Sequence, residues 1–151
     1  NRNQWDEAAS LAQSAIDRDD KFVEPYLILG DYYETKEDYQ KGISSYESAL
    51  AINPNFYPTA YFKMAKYAML LEEYEKAADY IDTYFSYDKR RSSLEEAAKI
   101  MQRNAIFAKE AIKLKVPFNP TNLGPGVNSE LDEYYPALTA DDEQLLFTRK
   151  I

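Results

Sequence analysis

The sequence contains no cysteine and no histidine. The first absence removes thiolate zinc sites and disulfides, and it leaves the redox compartment open. The second removes imidazole general bases and with them every Ser-His or Cys-His nucleophilic arrangement. No apolar run approaches the roughly 18 residues that a membrane-spanning helix needs. Positive charge is also short: 18 Lys and Arg stand against 26 Asp and Glu, a formal net charge of -8. Phosphate backbones are bound by a Lys/Arg surface that releases counterions, so nucleic acid is not an expected partner. No cofactor and no metal site is expected either. Asp17, Asp19 and Asp20, and likewise Glu72, Glu73 and Glu75, read as solvated helix ends, because calcium would need alternating oxygen ligands around a Gly turn.

What the chain does have is a repeat. Gly42, Tyr46 and Ala49 recur as Ala77, Ile81 and Tyr84, and earlier as Ala8, Ala12 and Ala15. The spacings are about 34 and 35 residues, a period that indicates stacked helix pairs. Neither helix of such a pair buries its apolar face alone, so neighbouring pairs share a continuous core. A hydrophobic content of 45% over 151 residues is enough to build one.

Along the chain, Trp5, Ala8, Ala9, Leu11, Ala12, Ala15 and Ile16 have helical spacing and end near Asp17 to Asp20. This reads as the second helix of an incomplete pair. Helices are predicted over about 23–36 and 39–52, the second stopped by Asn53-Pro54-Asn55. The next pair is predicted over about 56–71 and 74–87. Ser92-Ser93-Leu94-Glu95-Glu96 offers a capping box, Ser92 with Glu95 or Ser93 with Glu96. A helix to about Leu114 should follow, its apolar stripe closing the end of the stack. From Val116 the chain changes character: Pro117, Pro120, Gly124, Pro125 and Gly126 mark an irregular linker. After turn residues Asp141-Asp142, Leu145-Leu146-Phe147-Thr148 reads as one strand with no partner.

Several positions agree in register with the tetratricopeptide repeat family, which residues 1 to 90 resemble. An aromatic (Tyr26, Tyr61) precedes an apolar-small pair (Leu29-Gly30, Met64-Ala65). An aromatic opens each second helix (Trp5, Tyr39, Tyr74), and a small residue follows three positions later (Ala8, Gly42, Ala77). Lys89 and Asp20 stand where the family has a terminal proline, and Tyr84 where it has a small residue. The resemblance implies an all-α tetratricopeptide-repeat solenoid with a C-terminal capping helix over 1–115, and a non-enzymatic role in holding protein or peptide partners. By the family's geometry, Leu27, Asp31 and Glu34 on one first helix and Phe62, Lys66 and Met69 on the next line the concave surface. Exposed Met and Phe there suit an apolar peptide or helix, with Asp31 and Glu34 selecting a basic neighbour. The competing expectation is that the end helix or the tail fills this groove. The basic cluster with which chaperone-binding members hold a terminal carboxylate is not matched, since Asp31 replaces a neutral amide. The high aromatic content, 14 Tyr and 7 Phe, reads as packing, because Tyr26, Tyr33, Tyr39, Tyr46, Tyr61 and Tyr74 fall on repeat-defining positions.

The tail carries a second resemblance. Asn122-Leu123-Gly124, Val127-Asn128-Ser129 and Glu133-Tyr134-Tyr135-Pro136-Ala137-Leu138-Thr139-Ala140-Asp141, then Leu146-Phe147-Thr148, look like the opening of a TolB-like β-propeller. This gives a linker over 116–133 and the start of a truncated propeller over 134–151. The order is similar to that of Bacteroidetes cell-envelope proteins that continue into an OmpA-like domain holding peptidoglycan, some of them lipoproteins of the type IX secretion system. The resemblance implies a periplasmic, outer-membrane-associated protein whose partner is another cell-envelope protein. Peptidoglycan would be reached only through a domain outside these residues. The chain opens at Asn1 within a repeat, so an earlier segment bearing any targeting signal is expected. A structural spacer that positions the propeller is the alternative, and a recognition domain attached to an enzyme is the third reading.

Overall fold

A computed structural model describes residues 2–88, 90–114, 119, 121–139 and 143–150. The chain divides into two compact units, Asn1–Leu114 and Lys115–Ile151. The first is helical: α1 Arg2–Ile16, α2 Val23–Thr35, α3 Tyr39–Ile52, α4 Thr59–Leu70, α5 Tyr74–Phe85 and α6 Glu95–Ala111, the last entered through a 3-10 turn at Ser92–Leu94. Each helix packs on the next, and α6 touches α4 as well as α5, which makes an α-solenoid of antiparallel pairs.

The two complete pairs turn by the same device. Lys36 closes α2, then Glu37 enters the left-handed region at φ 57°, and Glu37 N and Asp38 N donate to Glu34 O and Tyr33 O at 3.1 and 3.0 Å. In the next pair Glu72 stands at φ 60°, with Glu72 N and Glu73 N on Met69 O and Ala68 O at 3.2 and 2.9 Å. This is the Schellman closure, built on Glu where Gly is usual. Asp38 then caps α3, its carboxylate accepting from Lys41 N.

Three boundaries differ from the expectation. α4 starts at Thr59 instead of Phe56, because Pro58 pushes the residue before it out of helical geometry. α5 ends at Phe85: the Arg90 guanidinium donates to Phe85 O at 2.8 Å and to Tyr87 O, capping the helix carbonyls from beyond its end. The capping box does not form. Among the described residues no side chain caps α6, and Glu95 faces Arg90 at 3.8 Å and Lys99 at 3.7 Å. Val116, Pro117, Pro120, Asp141-Asp142 and Lys89 lie outside the described residues.

The core alternates bulk and absence of bulk. Tyr46, Tyr67, Tyr84, Met64 and Ile81 are its largest fully buried side chains. A Cβ on Gly30 would lie 2.6 Å from the Tyr46 ring, and one on Gly42 would lie 2.9 Å from the Tyr67 ring. Both glycines are therefore there for close approach. One repeat later the equivalents are Ala65 and Ile81, again packed together.

The second unit corrects the expectation of an orphan strand. β2 Leu145–Arg149 pairs antiparallel with β1 Glu133–Leu138, Tyr134 opposite Thr148 and Ala137 opposite Leu146. The register shifts between Tyr134 and Ala137, where Tyr135 has φ 54° and Pro136 sits. A bulge is where a strand tolerates proline, so Pro136 fits within β1. Arg149 draws the preceding loop onto this ribbon, donating to Gly126 O at 3.0 Å and pairing with Glu133 at 3.3 Å.

Candidate functional site

The first helices of the pairs, α2 and α4, carry all six residues expected at the concave surface, and the solenoid joins α2 to α4 through them. Asp31 accepts from the Lys63 ammonium and from the Tyr46 hydroxyl. One turn on, Glu34 accepts from Lys66 at 2.6 Å and from the Tyr67 hydroxyl at 2.8 Å. Burial works to raise the Glu34 carboxyl, but the Lys66 and Tyr67 hydrogen bonds outweigh it and hold the group below its usual range. Burial, reinforced by the bonds to Asp31 and Glu34, pushes the Tyr46 and Tyr67 hydroxyls far above the ordinary phenol value. These phenols remain neutral donors at any physiological pH.

Each carboxylate is thus matched inside the chain by one ammonium and one phenol. The expectation that Asp31 and Glu34 select a basic partner must be amended: their first partners are Lys63 and Lys66, about one repeat away. Leu27 is half-buried against the core. Phe62 is half-buried too, its ring 5.8 Å from that of Tyr84 at the α5 side of α4. Neither is the freely exposed anchor that the periodicity suggested.

Lys66 and Met69 do meet a surface. With Leu70 they form one wall of a groove of about 380 Å³, whose other wall is Ala97, Ile100, Met101 and Asn104 of α6. Leu70 is 52% exposed and Ile100 48%. Far from filling the groove, the end helix builds its second wall. A thioether on each side makes the lining adaptable in shape. Sequence spacing misses Leu70 and draws α6 as the closing helix without making it a wall of a groove, because spacing within one helix does not tell which side chains another helix brings opposite.

Residues 23–56 match the tetratricopeptide repeat family. That match covers α2 and α3, and the same closure and the same small-large packing recur in α4 and α5, so the helical unit is a tetratricopeptide-like solenoid. A search of curated proteins finds no significant match to the chain. Tetratricopeptide repeats generally mediate protein–protein interaction and are typically non-catalytic scaffolds. Among the described residues no cluster of three Asp or Glu could hold a metal ion, and no helix is long and apolar enough to cross a membrane.

Proposed function

We propose that this chain is a non-enzymatic interaction scaffold that holds an apolar segment of a protein partner against the α4–α6 groove. The observation that carries the reading is the groove itself: Met69, Leu70, Ile100 and Met101 form an apolar trough beside Lys66, and its two side walls belong to rigid helices. Leu27, Asp31, Glu34 and Phe62 hold α2, α4 and α5 in place behind it, and Lys66 and Met69 contact the partner. The finer setting is part of the same proposal: a periplasmic module coupling an outer-membrane assembly, such as the type IX secretion system, to peptidoglycan through domains outside these residues. That setting is supported by the resemblance of residues 122–148 to the opening of a TolB-like propeller.

The test is a crosslinking capture from outer-membrane fractions of a Bacteroidetes bacterium, with the 151-residue chain as bait. Envelope proteins should be recovered by the native chain and lost with Leu70→Glu, an exposed position at which charge leaves the fold intact. Recovery that persists with Leu70→Glu would remove the groove from consideration. Recovery of nothing would favour a spacer, a reading to which the internal neutralisation of Asp31 and Glu34 already lends support.

A further inference from the structure

The outer side of α6 has an order of its own. Ala97, Ile100, Asn104, Phe107, Ala111 and Leu114 follow one another at alternating steps of three and four residues, the seam of a coiled coil. Hydrogen bonds of 3.0 Å from Ile112 N to Ala108 O and from Leu114 N to Ala111 O carry the turn past the helix end, so Leu114 stays in series. On the opposite side Ala98 and Ala105 are fully buried against the solenoid. The seam is uncovered in the helical unit: Ile100 is 48% exposed, Phe107 74% and Leu114 73%. A helix that merely closes a solenoid presents a polar outer side; this one presents an apolar stripe in register.

The stripe also alternates in size, small at Ala97, Asn104 and Ala111 and large at Ile100, Phe107 and Leu114. We infer that α6 pairs with the α6 of a second copy of this chain, antiparallel, about a two-fold axis between Asn104 and Phe107. In that arrangement each large residue meets a small one: Ile100 faces Ala111, Phe107 faces Asn104 and Leu114 faces Ala97. A parallel pair would instead stack Phe107 on Phe107 and Ala111 on Ala111, overfilling one layer and leaving a void in the next. Charge selects the same arrangement. Arg103 and Glu110 flank the seam one heptad apart, and the two-fold axis sets Arg103 of each copy beside Glu110 of the other. Glu110 holds Lys113 at 2.9 Å within its own chain, whereas Arg103 makes no ion pair or hydrogen bond among the described residues. The interface is isologous, so it closes at two copies.

A seam of little more than two heptads is short, so dissociation is expected in the range of about 1 to 100 μM. Sedimentation equilibrium of the 151-residue chain, from about 1 to 300 μM, should show a monomer passing to a dimer over that range. Phe107→Glu should leave it monomeric at every concentration with its helicity unchanged. Arg103→Glu should weaken the dimer about fivefold by setting like charges together, and adding Glu110→Arg to it should restore the native constant. A native chain that stays monomeric at the highest concentration overturns the inference, whatever protein the stripe then meets. So does a dimer indifferent to Phe107→Glu, and failure of the double charge reversal to restore pairing overturns the antiparallel arrangement. Ala97, Ile100 and Asn104 line the α4–α6 groove as well, so Leu70→Glu and Phe107→Glu are read in both assays: a lost dimer with capture retained, or the converse, separates the two surfaces.

Discussion

Replacing Gly30 by alanine tests the packing rule on which the repeats rest. The added methyl would lie 2.6 Å from Cε1 and Cζ of Tyr46, about 1 Å inside ordinary van der Waals contact. The ring cannot retreat. It is fully buried, its hydroxyl is held by Asp31, and behind it the Tyr67 ring is stacked at 6.0 Å with its own hydroxyl fixed by Glu34. Overpacking of this kind costs about 1–3 kcal/mol, and exchanging Gly for Ala within a helix returns about 1 kcal/mol. The net expectation is a loss of up to about 2 kcal/mol, or up to about 8 °C in Tm for a chain of this size, read by circular dichroism on heating and in urea. The second repeat supplies the control, because there the small residue is Ala65 and the large one Ile81. In a Tyr46→Ile background, Gly30→Ala should therefore change sign and stabilise by about 1 kcal/mol, the helix propensity alone. If Gly30→Ala stabilises the native protein, the steric account is refuted and only propensity acts at this position.

Glu72→Gly should stabilise the fold by about 1 kcal/mol in denaturant melts, since glycine accepts φ 60° without the strain that a side chain brings. Among the described residues the buried Tyr84 hydroxyl makes no hydrogen bond of good geometry, so Tyr84→Phe should raise stability by about 1 kcal/mol, and a loss would show that the Arg91 N–H beside it donates to it. Acid titration reports on Glu34: its folded value lies below the usual 4.5, so the stability it confers is present above that pH and fades as pH falls through the folded value. Glu34→Gln should accordingly flatten the acid limb of a stability profile. At the alkaline end Tyr61 is pushed up to about 12, by burial first and then by Tyr87, and Tyr46, Tyr67 and Tyr80 are shifted upward as well. The unfolded chain ionises its phenols near 10 while the folded one retains these protons, so stability should decline as pH rises beyond 10, with phenolate absorbance lagging until unfolding.

Much of the solenoid is legible one helix at a time. Tyr39 to Ile52 could be drawn as a helix from its own spacing and from Asn53-Pro54, because the forces that set its limits act within a few residues. Glu37 and Glu72 escaped notice, since Glu carries no signal for a left-handed turn and only the Schellman hydrogen bonds show it. Ser92 with Glu95 matched a capping box in letters, yet Arg90 drew the carboxylate away. The strand over Glu133–Leu138 was not drawn from the sequence, and Pro136 is compatible with it because it sits at a bulge.

By itself, then, the sequence determined the period, the helix pairs, the small residues at Gly30 and Gly42, and the absence of nucleophilic and metal-binding chemistry that needs His or Cys. Those are properties of local spacing and of composition. Only the tertiary structure decided that Asp31 and Glu34 answer to Lys63 and Lys66, that Phe62 turns toward Tyr84, and that Met69 and Leu70 face Ile100 and Met101 across a groove. The ion pairs join residues 32 positions apart, and the groove joins helices from different pairs. No periodicity within one helix specifies which side chain a neighbouring helix brings opposite; that is fixed when the helices pack, by which residues have room to approach.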